Sequence, residues 1–81
     1  MVTISSHQAV VAGLNQTKKA LLDGMAELVY IAEDADERLT HPILLLAQEK
    51  DSTVEHVATM KKLGKRLGID TGAAVGAILK G

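Results

Sequence analysis

Four short runs of β-branched and small apolar residues punctuate this chain: AVVAG (9–13), ELVYIAE (27–33), STVEHVA (52–58) and GAAVGAIL (72–79). Each is too short to bury itself as a helix, and each reads as a strand. The stretches between them carry helical spacing and helix stop signals. Strands that alternate with helices must share a sheet, and the helices must cover it, so the pattern predicts an α/β layered domain. Four strands and about four helices fit into 81 residues, with no linker, repeat or low-complexity tract between them.

The helix boundaries are legible in part. Residues 15–23 predict a first helix, with Gly24 in a left-handed position just past its end. Thr40 is the expected N-cap of a second helix, with Pro42 near its first or second position and ILLLAQEK (43–50) packed deeply. Thr59 is expected to cap MKKLGKRLG (60–68), and Gly68 to stop it. The small residues of 72–79 predict a last strand with a helix packed closely on it.

Composition narrows the function. Hydrophobic residues make up 47% and charged residues 23%, the balance of a single globular domain. Tyr30 is the sole aromatic residue, so a platform that stacks single-stranded bases on aromatic rings is excluded. Cysteine is absent, which removes disulfides, thiolate nucleophiles and cysteine-ligated zinc. The apolar part of MVTISSHQAVVAG has no basic residues ahead of it, so no secretory signal is expected, and no run approaches the roughly 18 apolar residues of a membrane span. A cytoplasmic protein without a membrane partner is the expectation.

The net charge of −1 hides a polar distribution. Residues 27–55 hold eight acids against Arg38 and Lys50, whereas residues 56–81 hold five bases against Asp70. A basic face is therefore compatible with a neutral total.

On a helix over 15–23, Thr17, Ala20, Leu21 and Gly24 share a face suited to the sheet, while Asn15, Gln16 and Lys19 share another. An Asn or Gln amide offers paired donor and acceptor groups to a base edge, and a lysine reaches guanine O6 and N7 or a phosphate. Free N–H groups of a first helical turn add partial positive charge for phosphate oxygens. An Asn cap with solvated neighbours accounts for the same residues. Lys61, Lys62, Lys65 and Arg66 make two adjacent basic rows on the third helix, either a solvated face or a binding one. Gly64, Gly68, Gly72 and Gly76 recur every fourth residue, but the intervening charges exclude a membrane helix dimer. No glycine-rich nucleotide-binding loop is present. His7, His41 and His56 stand in three separate segments without ligand spacing, and the acidic turn EDADE (33–37) suits helix capping better than a metal site. Nothing pairs a nucleophile with a base.

In order along the chain, GLNQTKKAL, LVYIAEDAD, MKKLGKRLGI and GAAVGAI resemble the kink-turn RNA-binding family of ribosomal proteins, across roughly residues 9–79. The resemblance implies a three-layer α/β/α sandwich with a four-stranded mixed central sheet. It implies a helix start that contacts tandem sheared G·A pairs, here Asn15, Gln16 and Lys19 with Lys18 beside them and Gly13 giving the close turn. Gln16 stands where many relatives have Glu; either accepts a guanine N–H, and only Gln also donates. A second contact is implied at the loop before the last strand, matching Ile69, Asp70, Thr71 and Gly72, and Lys61 and Lys62 match a segment facing phosphates. This chain departs at Asp23, where relatives commonly carry a base, at Leu22, usually polar, and at Val54 and Glu55, where many have a Pro-aromatic pair. The expectation is a monomeric, non-catalytic protein that binds structured RNA in a ribosomal RNA or a regulatory leader, with no DNA partner, no cofactor and no metal. A protein-interaction module on the same fold that has lost RNA binding is the alternative.

Overall fold

A computed structural model of the chain describes residues 9–80. Its elements run β1 (Val10–Ala12), α1 (Leu14–Leu22), β2 (Ala26–Ala32), α2 (Glu37–Glu49), β3 (Thr53–Val57), α3 (Met60–Leu67) and β4 (Val75–Leu79). The strands form one sheet in the order β1-β4-β2-β3. β4 runs antiparallel to both β1 and β2, and β2 runs parallel to β3, so the sheet is mixed as expected.

Period-two alternation gives the sheet two buried faces. Register places Val11, Ala77, Val29 and Val54 in one row across all four strands. This row belongs to the cluster that also takes Ala20 and Leu21 from α1 and Ile43 and Ala47 from α2. The next row, Ala12, Gly76, Tyr30 and Glu55, faces the other way. Its cluster takes Leu63 and Leu67 from α3. Helices thus cover both faces, and the three-layer α/β/α sandwich is observed. Leu21, Leu63, Val29 and Val75 are fully buried. Each contributes about 1.5–3 kcal/mol by leaving water.

Gly76 explains how closely α3 sits. A Cβ there would collide with Leu67 Cδ1, so the glycine is the slot into which α3 drops its leucine. Beside it, Arg66 lies over the Tyr30 ring at 5.5 Å from its centroid and pairs with Glu55.

Among the described residues there are three helices, where the sequence predicts about four. Gly24 (φ 72°) and Gly68 (φ 80°) take the left-handed positions after α1 and at the end of α3. Thr59 caps α3, its hydroxyl accepting from Lys62 N–H at 3.0 Å. α2 starts earlier than predicted. Its N-cap is Asp36, whose carboxylate accepts from Arg38 N–H at 2.9 Å, and Thr40 is a buried residue inside the helix. Pro42 lies inside α2, late enough to cost a backbone bond, yet the helix continues through it. β4 begins at Val75 rather than at 72, because the preceding residues are held against α3.

Candidate nucleic-acid interface

The topology sends the chain out of β1, β2 and β3 at one edge of the sheet, and β4 enters there. Each of α1, α2 and α3 follows one of those exits, so three helix N-termini gather at that edge. Their positive ends have different fates.

α2 is closed by Asp36. Arg38 reinforces the cap, with Nη2 to Asp36 Oδ2 at 2.8 Å and Nε to Oδ1 at 3.2 Å. This pairing holds the Asp36 carboxyl below the ordinary carboxylate value and the Arg38 guanidinium above its own. α3 is closed twice: by Thr59, and by Asp34 from the β2–α2 turn, whose Oδ1 accepts from Met60 N–H at 2.8 Å. The acidic turn therefore caps two helices, which is the reading the sequence favours for it.

No side chain among the described residues caps α1. It enters from Gly13 at φ 97°, a conformation that suits glycine, and Gly13 N–H donates to Val75 O at 2.9 Å. The Gly13 carbonyl receives Thr17 N–H at 3.1 Å, leaving the amides of the first turn ahead of it. Asn15 is thus no cap; it is the second residue of the helix. Asn15, Gln16, Lys18 and Lys19 are all exposed, while Thr17, Ala20 and Leu21 are buried on the sheet side. The predicted division of the α1 faces is observed except at Gly24, predicted on the sheet side, which is exposed and lies beyond the helix. Asp23 ends α1 and is exposed, and it forms no ion pair with Lys19, although the spacing permits one. Gln16, Lys19 and Asp23 line a groove of about 280 Å3 with an apolar floor that includes Val11, Met25 and Leu79.

The second predicted stretch, Ile69, Asp70, Thr71 and Gly72, is the loop between α3 and β4. It reaches the same edge because Val75, three residues on, is bonded to Gly13. Its path is fixed by backbone contacts. Ile69 N–H donates to Gly64 O at 2.9 Å and Ala73 N–H to Met60 O at 3.1 Å. A Cβ on Gly64 would overlap the Thr71 carbonyl, and one on Gly72 would meet Met60 at 3.3 Å. The fourfold glycine spacing thus resolves into separate duties: close approach at 64, 72 and 76, and a left-handed stop at 68. Asp70, Thr71 and Gly72 are exposed and Ile69 is half-buried.

Lys61 and Lys62 are exposed in the first turn of α3, close to the same edge. Cations oppose the helix dipole there, and no acid stands in that turn, so the two lysines are poor choices for stability alone. Lys65 is exposed farther along, and Arg66 is committed to Glu55 and Tyr30. The predicted contact residues on α1, on α3 and in the loop are therefore brought to one edge. What the sequence reading missed is the specific reach of Asp34 to Met60, a contact across 26 residues with no local signature.

His41 and His56 line a cleft of about 270 Å3 with Glu33, Glu37 and Thr40. Among the described residues no group of three or more His, Cys, Asp or Glu side chains is arranged to hold a metal ion. His7 lies outside the described residues.

A three-layer α/β/α domain with this mixed sheet order defines the class of fold. The chain belongs to the ribosomal protein L7Ae/L30e/S12e/Gadd45 family, which it matches over residues 2–81. A protein of Bacillus pumilus named RNA-binding protein is 43% identical to it over 76 residues, 94% of this chain and 93% of that one. Large ribosomal subunit protein eL8 of Haloquadratum walsbyi is 40% identical over 68 residues, 83% of this chain and 57% of that protein. The 15.5kD RNA binding protein of Giardia lamblia shares the fold with a TM-score of 0.83 at 28% identity, over 90% of this chain and 62% of that chain.

Proposed function

We propose that this protein binds structured RNA and stabilises kink-turn internal loops that contain tandem sheared G·A pairs, in ribosomal RNA or a regulatory leader. The observation that carries the reading is the start of α1. Among the described residues no side chain caps this helix end, and exposed Asn15, Gln16, Lys18 and Lys19 follow it along the helix, whereas α2 and α3 at the same edge are capped by their own chain. Relatives that bear the name RNA-binding protein over nearly their full length support it.

The division of labour follows from chemistry. Gln16 and Asn15 present amide donors and acceptors to sheared base edges, and Lys19 reaches guanine O6 and N7. The free amides of the first α1 turn take a phosphate. Lys61 and Lys62 neutralise backbone phosphates and give affinity without sequence information. The 69–72 loop packs against the nucleotides of the bend. Binding requires no chemistry: the protein matches the bent RNA better than the extended one, so the bent population grows.

A gel shift with a generic kink-turn RNA tests this directly. The same duplex with its G·A pairs replaced by Watson–Crick pairs should not shift. Equal binding to both leaves only charge attraction. Binding to neither makes a protein-interaction module on this fold, with exposed Asp23 in place of a base, the better reading.

A further inference from the structure

An acid at a polyanion-binding edge needs a reason, and Asp34 stands beside Lys61 and Lys62 through its bond to Met60 N–H. Coulomb repulsion of phosphates makes its charge a handicap for RNA. Thr59 accepts only Lys62 N–H, and a helix start leaves several amides open, so Asp34 serves a different one, that of Met60.

Met60 is where the reason is found. Its N–H is held by Asp34 at 2.8 Å, and its carbonyl holds Ala73 N–H at 3.1 Å. Gly72 packs directly on Met60, and a Cβ there would come within 3.3 Å of its backbone and side chain. One residue thus links the β2–α2 turn on one side to the loop before β4 on the other. Four residues farther along α3, Gly64 supports Thr71 from below and accepts the amide of Ile69. The loop has no strand partner of its own between 69 and 72 and takes its position from α3.

We propose that Asp34 is a positioning residue for RNA recognition: by fixing Met60 it sets the first turn of α3, and through Met60 it sets the 69–72 loop and the direction of Lys61 and Lys62. This rests on the RNA-binding reading of the preceding subsection. The acceptor oxygen does the positioning, and the negative charge is a tolerated cost. The two can be separated, since asparagine keeps an acceptor oxygen and loses the charge.

The test compares Asp34→Ala and Asp34→Asn with the parent in kink-turn RNA titrations, alongside amide hydrogen exchange of the free proteins. Asp34→Ala should weaken binding roughly tenfold, the size of one lost charge-assisted bond, although it removes a phosphate-repelling charge. Asp34→Asn should bind at least as tightly as the parent. In the free protein, Asp34→Ala should speed exchange at Ala73 and Ile69 while leaving the α1 amides unchanged, and Asp34→Asn should restore the parental rates. Tighter or unchanged binding by Asp34→Ala overturns the proposal and makes Asp34 a plain repulsive charge. Equal weakening in both variants overturns it too, because the acceptor is then irrelevant. Failure of the parent itself to bind the RNA overturns the functional reading, and this inference with it, before any variant is examined.

Discussion

The carbonyl of Thr71 lies against Gly64 so closely that no Cβ fits between them. In an unconstrained helix, replacing glycine by alanine stabilises by about 0.5–1 kcal/mol. Here the sign should reverse. Gly64→Ala must push back the backbone of the 69–72 loop rather than a flexible side chain, and it should destabilise by about 1–3 kcal/mol. Urea unfolding measures the stability, and an RNA titration should show the variant weakened beyond what its unfolded fraction explains.

Lys19 and Lys61 should differ in kind. Lys19→Ala is expected to cost about 1–3 kcal/mol and to relax discrimination at the G·A pairs. Lys61→Ala should weaken binding about equally for all RNAs and lower the salt slope by about one. Titrations at two salt concentrations against kink-turn and Watson–Crick duplexes separate the two roles. A parental affinity for Lys19→Ala places the contact surface elsewhere.

Asp23 is exposed at the end of α1 and makes no ion pair with Lys19, so its effect on RNA reduces to repulsion of nearby phosphate. Asp23→Arg should tighten kink-turn binding several-fold and steepen the salt dependence by up to about one phosphate's worth. A gain that appears equally on unkinked RNA counts against specific recognition at this helix.

The Thr17 hydroxyl is fully buried and, among the described residues, has no hydrogen-bond partner. Valine has nearly the same shape and no polar atom to desolvate. Thr17→Val should therefore raise stability by about 1 kcal/mol, read from the urea midpoint at constant slope. A loss of stability instead reveals a partner for the hydroxyl.

The Asp36 carboxyl is held below its ordinary value of 3.8, first by the Arg38 side chain and then by the Arg38 amide. A depressed folded value means that the cap contributes fully above the unfolded value and is lost as pH falls through the folded one. A carbon-detected NMR titration should give Asp36 a midpoint below 3.8. The stability gap between parent and Asp36→Ala should narrow as the pH falls through that range.

Much of this architecture was legible because local rules and tertiary packing agree. The alternation of strand and helix signals, the buried face of α1 at Thr17, Ala20 and Leu21, and the stops at Gly24 and Gly68 follow from periodicity and backbone sterics. The errors lie where two local signals compete. Thr40 before His41 and Pro42 imitates a helix entry, but Asp36 is the stronger cap and the helix tolerates Pro42, so α2 begins earlier. Asn15 imitates a cap, but Gly13 turns the chain into the helix without one. Helical spacing puts Asn15, Gln16 and Lys19 on one face and Lys61 and Lys62 in basic rows, but the gathering of α1, α3 and the 69–72 loop at one edge depends on β4 entering between β1 and β2, which no local stretch encodes. The Asp34–Met60 contact was invisible for the same reason.

The bond from Gly13 N–H to Val75 O joins points near the two ends of the fold. On the RNA reading proposed above, an RNA held by both the α1 start and the 69–72 loop would lie across that seam and, by binding only the folded chain, would stabilise it by mass action. Such a clasp resists global unfolding rather than local fraying. Its signature is a melting temperature that climbs with RNA concentration, the two halves of the chain coming apart together.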